Sequence, residues 1–400
     1  MKLRLSLFTL LMLCLASMGL VPSLAQNQDA KPIETGKFLR QEKPIPGHYI
    51  VVLKADKSDD ASISLKAANS LTDTYGGLVT DFYSYALTGF SAQMSEEQAL
   101  KMSQDPSVDF VEEDSIMEIH VTQSNPPWGL DRIDQRDRPL SATYSYTATG
   151  SGVNAYIIDT GIRRTHTQFG GRAFVGFDAI GDGRNSNDCN GHGTHVAGTV
   201  GGSTFGVAKS VRLFAVRVLG CNGSGSTSGV IAGVNWVTSN HIKPAVANMS
   251  LGGGVSSSLD TAVRNSIAAG VTYTLSAGNS NVDAANSSPA RVSEAITVGS
   301  STISDARSSF SNFGSVVDIF APGSSIQSAW FSSDTASATL SGTSMASPHV
   351  AGVAARFLQT NPGASPATVR NAIVNDATTS RLSGIPSGTA NRLLFRSSAQ

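Results

Sequence analysis

Beyond residue 150 the chain repeats one pattern: a short, largely apolar run, then small and apolar residues at helical spacing. The runs are residues 153–159, 212–218, 246–249, 271–276, 295–298 and 317–320, and helical stretches such as 229–237 and 259–268 lie between them. A strand that is apolar on consecutive positions must be covered on both faces, the condition of a parallel sheet held between helices. The expected fold class is therefore α/β, with a mostly parallel central sheet. Such sheets place ligands beyond the carboxyl ends of their strands, and Asp159 and Asn279 both fall just past strand ends.

Chemistry-bearing residues gather in three stretches. Gly342-Thr343-Ser344-Met345-Ala346-Ser347-Pro348-His349 opens a small-residue run that reads as a buried helix, with Pro348 expected in its first turn, where no N–H is lost. Ser344 would then lie where free amides and the helix dipole favour a developing negative charge. Tyr156-Ile157-Ile158-Asp159-Thr160-Gly161 is an apolar strand ending on an aspartate. Asn190-Gly191-His192-Gly193-Thr194-His195 sets a histidine between glycines at the start of another helix. Aspartate, histidine and serine in this order are the parts of a nucleophile activated by an oriented base. His192, flanked by glycines and so approachable, is preferred as the base over His195 and His349.

These motifs closely resemble the subtilisin-like serine proteases, in particular the branch of proteinase K and aqualysin, over nearly the whole chain after the first two dozen residues. The resemblance implies a three-layer subtilisin-like fold and a serine endopeptidase with Asp159, His192 and Ser344 as its triad. Asn279, after Ser276-Ala277-Gly278, matches the family's oxyanion-stabilising asparagine. Two glycine-rich stretches, with Gly223, Ser224 and Gly225 in one and Ser250, Leu251, Gly252 and Gly253 in the other, lack bulky side chains. A substrate backbone could add to them as a strand. Neither carries an acidic group for a basic side chain, so a broad specificity with apolar or aromatic preference is expected. One or two structural calcium ions are implied: one held by Asp318 with the carbonyls of Ser293 and Ala295, another by Asp131, Asp134 and Gln135, with Ser141 and Thr143 nearby. No H-E-x-x-H zinc motif occurs. The Ser344 motif is not G-x-S-x-G, which argues against an α/β-hydrolase esterase. The alternative from another class is a catalytically inactive subtilase fold used as a binding module.

Upstream, residues 1–25 read as a secretory signal: Lys2 and Arg4, an apolar stretch, then Ser23-Leu24-Ala25. This implies a secreted protein with no membrane association once the signal is removed. Residues 26–120 carry 16 acidic and 8 basic side chains, residues 121–400 carry 14 and 19, so the two parts can attract each other. The basic residues of the larger part are scattered, which disfavours nucleic acid as a partner. Within residues 48–115 the expected order is β-α-β-β-α-β, a ferredoxin-like α+β unit, after a flexible lead-in over residues 26–46. Ser95 and Gln98 form a capping box there. This unit resembles the family's propeptide, chaperone and inhibitor of its own enzyme, released by cleavage after His120. The partners implied are protein or peptide substrates and this propeptide, with the catalytic part, residues 121–400, monomeric. Cys14 lies in the signal; the two remaining cysteines, Cys189 and Cys221, suggest one disulfide outside the cell rather than two free thiols.

Overall fold

The computed structural model describes residues 37–41, 44–54, 62–116 and 121–396, and the chain divides near residue 117 into two compact units. The signal segment and the cleavage site expected at His120 lie outside the described residues.

In the smaller unit β1 (Phe38–Leu39), β2 (Pro44–Leu53), β3 (Leu78–Tyr83), β4 (Gly89–Gln93) and β5 (Val108–Ser115) form one sheet in the order β1-β5-β2-β4-β3. Helices α1 (Ser62–Tyr75) and α2 (Glu96–Ser103) complete it. Strands β2 to β5 pair antiparallel in the ferredoxin-like arrangement. Ser95 caps α2 in a full capping box, its hydroxyl accepting from Gln98 N while the Gln98 side chain accepts from Ser95 N. The lead-in is less loose than expected. Phe38 is wholly buried in the core and β1 runs parallel to β5, a two-residue strand too short to show any periodicity in sequence.

The larger unit begins with β6 (Val121–Ser124), α3 (Trp128–Ile133) and β7 (Thr143–Tyr146). Then follow β8 (Asn154–Asp159), β9 (Ala173–Asp178), α4 (His192–Gly201), β10 (Arg212–Arg217), α5 (Thr227–Asn240), β11 (Ala245–Met249), α6 (Ser257–Ala268), β12 (Thr272–Ser276) and β13 (Ile296–Ser301). The chain ends with β14 (Ile319–Pro322), the hairpin β15 (Ile326–Ala329) and β16 (Ser337–Leu340), α7 (Thr343–Thr360), α8 (Pro366–Asp376), β17 (Thr378–Thr379) and β18 (Arg392–Leu393). Nine strands form the central sheet in the order β17-β18-β14-β13-β12-β11-β8-β10-β9. Every pair is parallel except β17 with β18.

Alternate residues of β8 go to opposite layers, which is why the strand reads as a continuous apolar run. Ala155 and Ile157 pack in a core with Val196 and Val200 of α4 and Val350 of α7. Tyr156 and Ile158 pack on the other side with Val230 and Val234 of α5 and Val263 of α6. The edge strand β9 is largely apolar in sequence but interrupted by Gly176, and its strand character was missed. A Cβ there would stand 2.7 Å from the Ala215 carbonyl, close to a register shift against β10. From β8 the chain turns to β9 and β10 on one side and later to β11 on the other, so β8 and β11 flank the switch point where such sheets bind ligands.

Candidate active site

Asp159, the last residue of β8, is fully buried, and its carboxylate meets the first residue of α4. His192 Nδ1 donates to Asp159 Oδ1 at 2.8 Å and lies 3.0 Å from Oδ2; Oδ1 also accepts from Thr160 N at 2.7 Å. Burial opposes the imidazolium most strongly, but the charges of Asp159 and Asp188 and the Asp159 hydrogen bond together outweigh it and raise the His192 pKa. The helix can start this close to the strand end because residue 193 is glycine: a Cβ there would stand 2.2 Å from the Gly161 carbonyl. Thr160 Oγ1 accepts from Gly193 N at 2.8 Å. Asp188 accepts from Asn190 N, Gly191 N and Thr160 Oγ1 on one oxygen and from Thr194 N and Oγ1 on the other. Neither Thr160 nor Asp188 stood out in the sequence. The one signal was an aspartate just ahead of a helix start, a common end-capping arrangement.

Ser344 is the second residue of α7, so its N–H has no acceptor within the helix. Pro348 is therefore the sixth helical residue and lies in the second turn, not the first as the sequence suggested. An N–H at 348 would bond the Ser344 carbonyl; proline has none to give. The Ser250 hydroxyl takes its place, donating to Ser344 O at 2.8 Å. Ser250 Oγ in turn accepts from Asn248 Nδ2 at 2.9 Å, and Asn248 Oδ1 accepts from Thr274 Oγ1 and Ser347 Oγ. The Ser344 hydroxyl donates to the Ser250 carbonyl at 3.1 Å.

Asn279 is held by its oxygen. Thr343 N and Thr343 Oγ1 donate to Asn279 Oδ1 at 2.8 and 2.9 Å, and Thr343 Oγ1 accepts from Gly278 N at 3.0 Å. The Nδ2 group meets no acceptor among the described residues and lines the same cavity as Ser344. A Cβ on Gly342 would come within 3.4 Å of that nitrogen.

All seven residues expected at the substrate edges line one groove together with His192 and Thr160. Leu251, Gly252, Gly253 and Gly254 also border an adjoining cavity, whose other walls are Ser276, Ala277, Gly278, Asn279, Ala290 and Ser344 among others, none charged. Cys189 and Cys221 form a disulfide, joining the segment before His192 to the one before Gly223. Asn190 Nδ2 reinforces the junction by donating to Cys221 O at 3.0 Å.

The other two histidines bond only to backbone. His195 Nε2 donates to the carbonyls of Ile326 and Ala338, His349 Nδ1 to that of Met345, and burial pushes both pKa values down to about 4. The two calcium sets expected from sequence fare differently. In the turn after α3, Asp131 accepts from Ser141 N, Ser141 Oγ and Ala142 N, and Gln135 Oε1 also accepts from Ser141 N. Asp134 accepts from Ser145 N on one oxygen while Oδ1 is buried without a partner. Burial, aided by the Asp131 charge, pushes the Asp134 carboxyl up to about 6, so a cation fits there. At the second set Asp318 and Ala295 do converge, but on a guanidinium: Arg370 is ion-paired to Asp318 Oδ1, and its Nε donates to Ala295 O at 3.1 Å.

A parallel sheet with an aspartate–histidine pair and a serine at a helix start beyond its strand ends is the arrangement of the serine hydrolases. The chain belongs to the subtilase family, whose model matches residues 150–392, and residues 48–120 match that of the peptidase inhibitor I9 family. The "Extracellular serine proteinase" of Thermus sp. (strain Rt41A) is 49% identical over 93% of this chain and 95% of its own. The "Alkaline serine exoprotease A" of Vibrio alginolyticus is 50% identical over 88% of this chain and 67% of its own. Among solved structures, a cold-adapted subtilisin-like serine proteinase is 57% identical, with a TM-score of 0.66, and the match covers 68% of this chain and 98% of that one.

Proposed function

We propose that the chain is a secreted serine endopeptidase, made as a zymogen that removes its own propeptide, residues 26–120, and that Asp159, His192 and Ser344 are its triad. The observation that carries this reading is the Asp159–His192 bond in the wall of the groove that the glycine-rich edges form. For attack, the Ser344 hydroxyl leaves the Ser250 carbonyl and gives its proton to His192 Nε2 as Oγ bonds to the scissile carbonyl carbon. Asp159 holds the imidazole by Nδ1 and stabilises the cation that forms. The new oxyanion is met by Asn279 Nδ2 and Ser344 N, two donors that meet no acceptor among the described residues. His192 then protonates the leaving amine, and water, deprotonated by the same imidazole, hydrolyses the acyl-enzyme.

The uncharged cavity beside Ser344 supports a preference for apolar or aromatic side chains. The polar turn at Asp131, Asp134 and Gln135 would hold a structural calcium, which would supply positive charge to the stranded Asp134 oxygen. The test of the reading is covalent labelling with a fluorophosphonate: mass should be added at Ser344. Absence of label on folded, processed protein would favour the inactive binding module. Ser344→Ala should leave residues 26–120 attached, and normal processing of that variant expressed alone would refute self-cleavage.

A further inference from the structure

We propose that Arg370 supplies, as a fixed guanidinium, the positive charge that the site formed by Asp318 and the Ala295 carbonyl would otherwise take from calcium, so that this site is metal-independent. Asp318 is a buried carboxylate immediately before β14, and Ala295 immediately precedes β13. A buried carboxylate is costly unless its charge is paired, so Asp318 needs a cation at hand. Thr297 N already donates to Oδ2 at 2.8 Å, which leaves Oδ1 for the cation.

Arg370 meets this need from α8. Its neighbours Val369 and Ile373 are buried in the core, which fixes the helix and the point from which the side chain departs. The Nε hydrogen goes to Ala295 O, one terminal nitrogen to Asp318 Oδ1, and the other nitrogen reaches Asn371 Oδ1 at 3.5 Å. A planar fork that spans a carbonyl and a carboxylate suits guanidinium chemistry and has no lysine equivalent. Calcium would need to sit about 2.3–2.6 Å from the same two oxygens. It would overlap the guanidinium nitrogens and bring a double positive charge against a fixed single one. The two occupants exclude each other.

The site stands at the amino ends of β13 and β14, the opposite end of the parallel strands from Asp159 and Asn279, so its readout is stability and ion count and not turnover. Mature protein, blocked with phenylmethylsulfonyl fluoride, is stripped with chelator and titrated with calcium chloride by calorimetry. The wild type and Asp318→Asn should bind the same number of ions. Arg370→Ala should bind one more, melt several degrees lower than wild type in chelator and recover on adding calcium. Loss of one ion in Asp318→Asn, or no added ion in Arg370→Ala, would overturn the proposal. Should Arg370→Ala fail to mature, the wild type against Asp318→Asn decides alone: equal counts support it, a lost ion refutes it.

Discussion

The Ser250 hydroxyl donates at 2.8 Å to the Ser344 carbonyl that Pro348 leaves without a helical partner. One side chain of the glycine-rich groove edge thus completes the helix that carries Ser344. Ser250→Ala removes that donor and strands a carbonyl, a defect of about 1–3 kcal/mol. Where it falls on the alignment of Ser344, kcat should drop about 10- to 100-fold, since each 1.4 kcal/mol of barrier is tenfold in rate. Steady-state kinetics on folded variant checks this, and an unchanged kcat would assign the bond to packing alone.

The pH profile should carry the signature of the Asp159–His192 pair. The imidazole must be neutral to accept the Ser344 proton, and its pKa is raised above the ordinary 6.5. The acid limb of kcat/KM is therefore expected above pH 6.5. Asp188→Asn, which removes one of the charges raising it, should shift the limb to lower pH. A limb that moves upward in this variant would contradict the electrostatic account.

Stability should respond to acid in the opposite sense at the two buried histidines. His195 and His349 fold with pKa values near 4, below the unfolded value near 6.5. Their contribution is complete above pH 6.5 and is lost as the pH falls from there towards 4, on the order of 3 kcal/mol each. His192, with its pKa raised, contributes instead on the acid side and loses that contribution as the pH rises through its folded pKa. Calorimetry of the blocked enzyme between pH 7 and 4 should show the melting temperature falling, with a shallower fall in His349→Gln.

Removing the disulfide with Cys189→Ala and Cys221→Ala together should cost about 3–4 kcal/mol on chain-entropy grounds. For a domain of this size that is roughly 5–7 °C in melting temperature. A variant that melts with the parent would show that the loop is held by other contacts, such as Asn190 to Cys221.

Cleavage of a peptide library should favour leucine, phenylalanine and similar residues before the scissile bond. The cavity next to Ser344 presents glycine, alanine, serine and asparagine and no compensating charge, and burying an unpaired ion is costly. Equal cleavage after arginine or aspartate would contradict this reading.

The sheet and the positions of Asp159, His192 and Asn279 at its strand ends and helix starts were legible because each sits where a period or a motif ends. Such boundaries are written in consecutive residues. What stayed hidden depends on partners distant along the chain. Ser250 looked like one more residue of a glycine-rich edge until Pro348 was found in the second turn with a carbonyl to satisfy. Asp318 signalled a cation site, yet nothing local to it announced that Arg370, 52 residues later, would enter it. Asp188 acts through backbone amides, which every sequence has. Strand β1 was missed because two residues show no period, and β9 because Gly176 interrupts its apolar run.

The bridge from Cys189 to Cys221, with a sequence separation of 32, encloses His192, and the groove-lining Gly223 to Gly225 follow directly after it. Opening it would slacken the base and the docking edge in a single event. Under the proposed function, conditions reducing enough to open the bridge should lower activity together with stability.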